Sequence, residues 1–276
     1  MNMRAKSSSN KPKESRSFFS RINLWFPWLK IVFAIFLISV IILDLLNFTI
    51  SKTANLNDSF PTTPMSKHVK ATERTLKGKK LVALTFDDGP SSNTTPQLLD
   101  ILTKKNTVAT FFVLGAMAKK QPEIIKRAKS EGHQIASHTM YHQNLTGISQ
   151  EAAEADINES RSVFKSITGY SPTLTRPPYG IFNETIGRLS KTPLILWSVD
   201  PEDWKYRDID MIVSIIMKQV HDGAIILMHD IYPTSVTTVP IIIDKLRDEG
   251  YEFVTISEMA ENRGINLYPG GSYYKF

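Results

Sequence analysis

The chain of 276 residues contains no cysteine, and this absence removes several kinds of chemistry at once. Disulfide cross-links, thiolate nucleophiles and cysteine-ligated zinc are all excluded. Any metal site must therefore use histidine, aspartate or glutamate side chains. The 13 glycines and 15 prolines form no low-complexity block, and the chain has no repeat of solenoid period. With 42% apolar and 22% charged residues, the composition is that of a globular protein.

Most of the chain also lacks an excess of charge of either sign. The formal net charge is +6, and residues 1–30 account for all of it, because they carry seven basic side chains against one acid. The remainder is neutral, so a basic nucleic-acid-binding face on a folded domain is not supported. We therefore expect no nucleic-acid partner, and nothing in the sequence indicates an obligate protein partner.

A long apolar segment follows these basic residues. Residues 31–50 have the length needed to cross a bilayer as a helix, and Trp25 and Trp28 lie at the interfacial position. The positive flank predicts a cytoplasmic N-terminus, a transmembrane signal-anchor and an external C-terminal part. Asp44 shortens the uninterrupted run to 13 residues, which also suits a cleaved signal peptide, but no Ala-x-Ala site follows. We favour an uncleaved single-pass anchor over secretion after cleavage.

The rest of the chain divides into a polar stalk and a folded domain. Residues 51–78 are polar and interrupted by prolines, which predicts a flexible stalk. Residues 79–276 alternate between short apolar runs and helical periodicities, beginning with a strand at 81–86 and a helix at 95–104. Further strands are predicted at 109–114, 133–138, 173–176, 193–199, 224–229 and 252–256, and further helices at 149–166, 208–220 and 236–248. About seven such units predict an α/β fold with parallel strands, either an open doubly wound sheet or a small (β/α) barrel.

Ionisable residues follow most of the predicted strands. They are Asp87 and Asp88 after the first strand, His138 and His142 after the third, Arg176 after the fourth, Asp200 after the fifth, and His229 and Asp230 after the sixth. In parallel α/β folds the active site is built at the carboxyl ends of the strands. Each of these residues alone is more often a helix cap or a solvated loop residue. Because such residues follow five different strands, together they predict a catalytic site at this edge of the sheet.

The two histidines after the third strand suggest a metal site. His138 and His142 are four residues apart, a spacing that places two imidazoles on one side of a helical turn. The alternative is a chance pair of surface histidines. The third ligand would come from Asp87 or Asp88, since one acid can bind a metal while the other accepts a proton. The alternative for these acids is a structural turn, because Asp-Gly-Pro often closes a strand.

Five short motifs, in order along residues 79–260, resemble those of the NodB-type polysaccharide deacetylases, the fourth carbohydrate esterase family. The motifs are Thr85-Phe86-Asp87-Asp88-Gly89-Pro90, His138-Thr139-Met140-Tyr141-His142, Arg176-Pro177-Pro178-Tyr179-Gly180, Asp200-Pro201-Glu202-Asp203-Trp204 and Leu227-Met228-His229. The fold that this resemblance implies is a distorted (β/α) barrel of about seven parallel strands.

The resemblance also implies a metal site and a general base. Asp88, His138 and His142 would bind one divalent metal ion, zinc or alternatively cobalt, with a water molecule in the open position. Asp87 would be the general base that takes a proton from the attacking water. Arg176 would hold Asp87 ionised and in place through a charge-assisted hydrogen bond.

A general acid and a substrate-binding surface complete the implied site. His229 would protonate the leaving sugar amine, and Asp200 would raise the basicity of His229 and fix its orientation, with Asp203 able to contribute. Three residues would contact the substrate: Tyr179 through its backbone N–H at the oxyanion, and Trp204 and Leu227 around the sugar and the acetyl methyl.

The implied activity is metal-dependent hydrolysis of N-acetyl groups from a polysaccharide, with release of acetate. An exported, membrane-tethered enzyme without disulfides suits a bacterial cell surface, so we expect the N-acetylglucosamine of peptidoglycan as substrate. Chitin oligosaccharide, poly-N-acetylglucosamine, N-acetylmuramic acid and O-acetylated xylan are alternatives that the same five motifs would serve. A non-catalytic carbohydrate-binding relative would have lost the base or a metal ligand, and these residues are intact here.

Overall fold

The computed structural model of the chain describes residues 76–276. The predicted cytoplasmic segment, the anchor and residues 51–75 of the stalk lie outside the described residues. In the described part, every helix is too short or too polar to cross a membrane. Leu76, which the sequence places in the stalk, packs against the core of the folded domain.

Strands and helices alternate along the described residues, as predicted. The strands are β1 (Lys80–Asp87), β2 (Thr110–Val113), β3 (Gln134–Ser137), β4 (Leu194–Ile195), β5 (Ala224–His229), β6 (Tyr251–Phe253) and β7 (Ser272–Tyr273). The helices are α1 (Thr95–Lys104), α2 (Gly115–Lys120), α3 (Pro122–Ser130), α4 (Gln150–Thr168), α5 (Glu184–Ser190), α6 (Asp203–Tyr206), α7 (Ile209–Gln219), α8 (Pro233–Asp248) and α9 (Ile256–Asn262). Short 3₁₀ turns occur at Leu145–Gly147 and Pro178–Gly180.

The main sheet is parallel and is built around β1. Strands β2 and β5 pair with β1, β6 pairs with its first residues, and β3 lies outside β2. Seven of the eight residues of β1 are buried, because a central parallel strand is covered on both faces. This burial explains why β1 reads in the sequence as a continuous apolar run, and the predicted α/β fold with a parallel sheet is confirmed.

The two strands predicted between β3 and β5 are shorter than expected. The expected strand at 173–176 is a single bridge at Thr175, and the expected strand at 193–199 is the two-residue β4 with a further bridge at Val199. Proline supplies no backbone N–H to a ladder; Pro177 directly follows the first of these segments, and Pro193 is the first residue of the second. The structure adds β7, which pairs with β4 and which the sequence did not predict.

Two apolar clusters cover the two faces of β1, and their alternation orients the end of the strand. Val82, Leu84 and Phe86 pack in one cluster, whereas Leu81 and Ala83 pack in the other. Burying one such side chain stabilises the fold by about 1.5–3 kcal/mol. Because strand side chains alternate between faces, the last residue of β1 points to the same side as Leu81 and Ala83. That side is where the candidate site is built.

Candidate active site

The proposed base and the proposed acid lie side by side at the carboxyl ends of adjacent strands. Asp87 is the last residue of β1, and its register partner in β5 is His229. The β3 strand ends immediately before His138, whose backbone N–H donates to the Val113 carbonyl at the end of β2. Three strand ends that are distant in sequence therefore meet at one edge of the sheet, as the sequence predicts.

Asp87 is fixed by a guanidinium that is completely buried. Nη1 of Arg176 donates to Asp87 Oδ1 at 2.7 Å and to Thr85 Oγ1 at 2.9 Å. The remaining nitrogens of Arg176 donate to the carbonyls of Ile195 (3.0 Å) and Leu196 (2.9 Å). Burial raises the pKa of Asp87, and the charge and hydrogen bond of Arg176 oppose this rise. The result is an oriented carboxylate that is more basic than a solvated aspartate.

Asp88, His138 and His142 form a cluster of potential ligand atoms that all lie within 4.8 Å of one another. The Nε2 atoms of His138 and His142 lie 3.6 and 3.4 Å from Asp88 Oδ1. Burial lowers the pKa of His138 to about 3, so its imidazole is neutral. Its Nδ1 lies 2.8 Å from the Arg176 carbonyl, which can only accept, so Nδ1 carries the proton and Nε2 presents a lone pair.

This donor set fits a divalent metal ion. Asp88 Oδ1 is buried and has no hydrogen-bond partner among the described residues. An unpartnered buried carboxylate oxygen is costly, and here it faces two imidazole nitrogens across distances longer than a hydrogen bond. Two imidazoles and one carboxylate are ligands that zinc and cobalt accept, and three protein ligands leave a position open.

The backbone around these ligands is strained, and the predicted helical turn is wrong. Asp88, Thr139 and His142 have φ of 74°, 68° and 57°, and no helix covers residues 138–142. The two imidazoles therefore converge from an irregular loop, because left-handed residues turn the chain twice within five positions. Each left-handed non-glycine residue costs about 1–3 kcal/mol, and such strain clusters at functional sites.

The turn after the base also depends on a glycine. A Cβ atom at Gly89 would clash with the carboxylate of Asp230. Asp230 is buried, and its Oδ2 accepts a hydrogen bond from Thr95 Oγ1 at 2.5 Å. Asp230 therefore packs against the turn behind the site, and its Oδ1 has no partner among the described residues.

The side chain that holds His229 is Asp203. This corrects the expectation that Asp200 raises the basicity of His229 and fixes its orientation. The Nδ1 atom of His229 lies 2.7 Å from Asp203 Oδ1, and the His229 backbone N–H donates to Asp203 Oδ2 at 2.8 Å. Ser235 Oγ also donates to Oδ2. Burial lowers the pKa of His229, but the hydrogen bond and charge of Asp203, with further acids nearby, outweigh burial and raise it to about 9.

Asp200 has a different contact. Its Oδ1 accepts the backbone N–H of Glu202 at 2.8 Å, and the side chain lines an open cleft of about 580 Å³ with Trp197 and Tyr206. Helix α6 begins three residues after Asp200, and this turn carries Asp203 to the histidine. Asp200 thus shapes the loop, whereas Asp203 contacts the ring.

The three predicted substrate-binding residues differ in exposure. Tyr179 is 61% exposed and Trp204 is 50% exposed, so both rings are accessible to a ligand. Leu227 is buried within β5. The Tyr179 ring packs edge-on against His142 at 4.6 Å, and its backbone N–H has no acceptor among the described residues. A free N–H beside the cluster of ligand atoms fits the role of an oxyanion donor.

Sequence reasoning missed several supporting residues. Thr85 lies two residues before the base on the same face of β1, so strand periodicity could have identified it. Ser235 and Tyr232 follow His229 in α8 and its cap, and no sequence signal connected them with the site. The Tyr232 ring lies 5.8 Å from the His229 ring.

Comparisons with known proteins identify a family for this chain. The family model described as polysaccharide deacetylase matches residues 75–193. The peptidoglycan-N-acetylglucosamine deacetylase PgdA of Listeria monocytogenes is 45% identical over 199 residues, which are 72% of this chain and 42% of that protein. The chain thus spans less than half the length of that relative.

Two further relatives are matched over most of their own length. A peptidoglycan-N-acetylglucosamine deacetylase of Bacillus cereus is 36% identical over 189 residues, which are 66% of this chain and 88% of that protein. The solved structure of the peptidoglycan deacetylase PdaC from Bacillus subtilis superimposes with a TM-score of 0.66 at 45% identity, over 68% of this chain and 93% of that one.

Proposed function

The chain belongs to the polysaccharide deacetylase family, and we propose that it hydrolyses N-acetyl groups of peptidoglycan N-acetylglucosamine and releases acetate. The observation that carries this proposal is the placement of a buried carboxylate and a raised-pKa histidine as register partners beside a cluster of one aspartate and two histidines. These are the groups that amide hydrolysis needs on the two sides of the scissile bond.

Asp88, His138 and His142 would hold one divalent metal ion, zinc or alternatively cobalt. When bound, such an ion acts as a Lewis acid on a carbonyl and makes a water molecule more acidic. The neutral state and fixed tautomer of His138 support this assignment, as does the unpartnered oxygen of Asp88.

The base acts through the oxygen that Arg176 leaves free. Oδ1 of Asp87 is hydrogen-bonded to the guanidinium, so Oδ2 takes the proton from the attacking water. The Tyr179 N–H then donates to the oxygen on which negative charge develops. His229, protonated on both nitrogens and held by Asp203, gives its Nε2 proton to the leaving amine. The exposed rings of Tyr179 and Trp204 offer faces to the sugar.

The test is to incubate the full-length chain with purified peptidoglycan, chitin oligomers and acetylated xylan, with zinc added, and to quantify acetate. We expect release from peptidoglycan, none after chelation, and recovery with zinc or cobalt. His138→Ala should lose bound metal and activity together, whereas His221→Ala, at a partly exposed histidine outside the site, should keep both. Acetate from chitin or xylan alone would reassign the substrate, and no acetate from any of them would contradict the activity.

We propose further that residues 31–50 anchor the enzyme in the bacterial cell membrane with the catalytic domain outside. The basic segment before this apolar stretch supports that orientation. The full-length protein should then stay in the membrane fraction, with residues after Lys52 open to external protease. A mature form beginning near residue 52 in the medium would contradict anchoring and would leave export intact.

We infer that the strands form the distorted barrel that the family resemblance implies. Single parallel bridges connect β3 to Thr175 and Thr175 to β4, and Lys275, just after β7, bridges Ala224 in β5. These pairings support a ring that returns to β1. Slow amide exchange at Thr175 and Ile195, whose N–H groups donate across these short pairings, would agree with closure.

A further inference from the structure

The loop of residues 200–207, which includes α6 and supports His229, ends in Arg207. In the described part of the chain this cation has no acidic partner. Lys205, two residues earlier, is by contrast paired with Glu202 at 3.2 Å. Arg207 is exposed and has φ of 51°, a left-handed conformation that a side chain rarely adopts. The loop therefore presents one charge that its own acids do not neutralise.

The Arg207 guanidinium is nevertheless held in place. It lies over the ring of Tyr232, 3.1 Å from the ring centre. Tyr232 caps α8 only three residues after His229, and the two rings lie 5.8 Å apart. The cation is therefore positioned beside the proposed acid, within reach of a group on the same glycan chain as the scissile acetamide.

Stacking determines which part of the guanidinium a ligand can use. The guanidinium carbon of Arg207 lies directly over the Tyr232 ring, so that ring face is covered and cannot bind a sugar. The N–H groups of the guanidinium have no hydrogen-bond acceptor within residues 76–276, and their planar fork matches the two oxygens of a carboxylate. A stacked arginine loses less side-chain freedom on binding than a fully mobile one, which favours recognition of an anion at this position.

We propose that Arg207 binds a carboxylate of the polysaccharide and so makes the enzyme prefer an anionic glycan to a neutral polymer of N-acetylglucosamine. This inference rests on the proposed function and adds the charge of the substrate to it. In peptidoglycan the carboxylate has two possible sources. One is the lactyl group of muramic acid when the peptide has been removed, and the other is an acidic residue of an attached peptide.

The test compares three probes with the full-length enzyme: a neutral chitin oligomer, glycan strands stripped of peptide, and strands that keep their peptides. In Arg207→Gln, KM for the strands that carry the recognised carboxylate should rise about three- to fivefold, the effect of an exposed ion pair. The kcat on those strands and both constants on chitin should not change. Arg207→Lys should recover part of the loss, because an ammonium keeps the charge without the fork.

Lys205→Gln is the matched control, since it removes a cation of the same loop that is already paired. It should leave the preference among the three probes unchanged. Added salt should reduce the wild-type preference for the anionic strands and should have no effect on chitin. The stripped and the peptide-bearing strands then identify which carboxylate is bound, according to which of them responds to Arg207→Gln.

Binding of fluorescently labelled strands, measured by anisotropy, separates this inference from the proposed function. If the wild type released no acetate but bound anionic strands more tightly than Arg207→Gln did, the activity would be wrong and the recognition would stand. Equal losses on all three probes would assign Arg207 a structural role and overturn the inference. Equal affinity and equal kinetics of the wild type and Arg207→Gln would overturn it as well.

Discussion

The base side and the acid side of the site are adjacent in the sheet but are supported in different ways. Asp87 is held by Arg176, which is fully buried and anchored to the carbonyls of two residues in and after β4. His229 is held by Asp203, which begins a four-residue helix whose flanking residues both have left-handed backbones. The base is thus fixed by an arginine in the core of the fold, whereas the acid is fixed by a buried aspartate at the start of a short helix.

Because of this difference, substitutions on the two sides should differ in how they affect stability and catalysis. A change on the base side disturbs buried charges and should affect both folding and activity. A change on the acid side should mainly alter the pH dependence of activity and, through the pKa of His229, the pH dependence of stability.

The largest effect is expected from Asp87→Asn. A positioned proton acceptor contributes roughly 10²–10⁴-fold to the rate, and the asparagine amide cannot accept the proton. The kcat/KM on peptidoglycan should fall by that factor, while bound metal, measured by elemental analysis, should stay at the wild-type level. Loss of the metal in this variant would mean that Asp87 is itself a ligand and that the roles of the two adjacent acids are exchanged.

Arg176→Met should destabilise the protein as well as inactivate it. The variant leaves the Asp87 carboxylate buried without its cation, and breaking a buried pair in this way costs about 3–5 kcal/mol. Urea denaturation should report this loss of unfolding free energy. Arg188→Met is the control, because Arg188 is exposed and its pair with Glu184 is long, at 3.7 Å. A similar small loss in both variants would contradict the claim that the base side is part of the core.

The sequence was informative where burial is continuous. The predicted limits of β5 and α1 agree with the structure, because a fully buried strand and an amphipathic helix each give an unbroken pattern. The strands at Thr175 and β4 were overestimated, since ladders that prolines limit to one or two residues have no period. β7 was missed because a strand of two residues also shows no period.

The sequence predicted which strand ends carry the site residues, but it did not predict the loop conformations and contacts of those residues. The pairing of His138 with His142 followed from their spacing, but their left-handed loop did not, because sequence patterns for helical turns ignore such conformations. Asp200 and Asp203 lie three residues apart in one loop, and only the turn into α6 decides which of them contacts His229. The contact of Arg207 with Tyr232 joins segments 25 residues apart and leaves no local signal.

Asp203→Asn should shift the pH profile of the enzyme. The general acid is active when His229 is protonated, so activity is lost as the pH rises through its pKa. Asp203 is the main group that raises this pKa to about 9, and the amide would let it fall toward the ordinary value of 6.5. The alkaline limb of kcat/KM should therefore move to lower pH, with little change on the acidic side. An alkaline limb that stays in place would show that another group sets it.

The same shift has a consequence for stability. A pKa that is higher in the folded than in the unfolded state contributes stability that is complete below pH 6.5 and is lost as the pH rises to about 9. Unfolding free energies of the wild type should decline across this window. Asp203→Asn should show a weaker decline, since its histidine loses the partner that raised the pKa.

The smallest effect is expected from Asp200→Asn, which is the matched control for Asp203→Asn. The asparagine oxygen can still accept the Glu202 N–H, so the loop and the start of α6 should keep their geometry. Asp200 is partly exposed and does not touch the His229 ring, so its charge acts at a distance through a partly solvated region. We expect unfolding free energy within about 0.5 kcal/mol of the wild type and an alkaline limb that moves much less than in Asp203→Asn. If the two variants shifted that limb equally, the loop charge as a whole, and not the Asp203 contact, would control the acid.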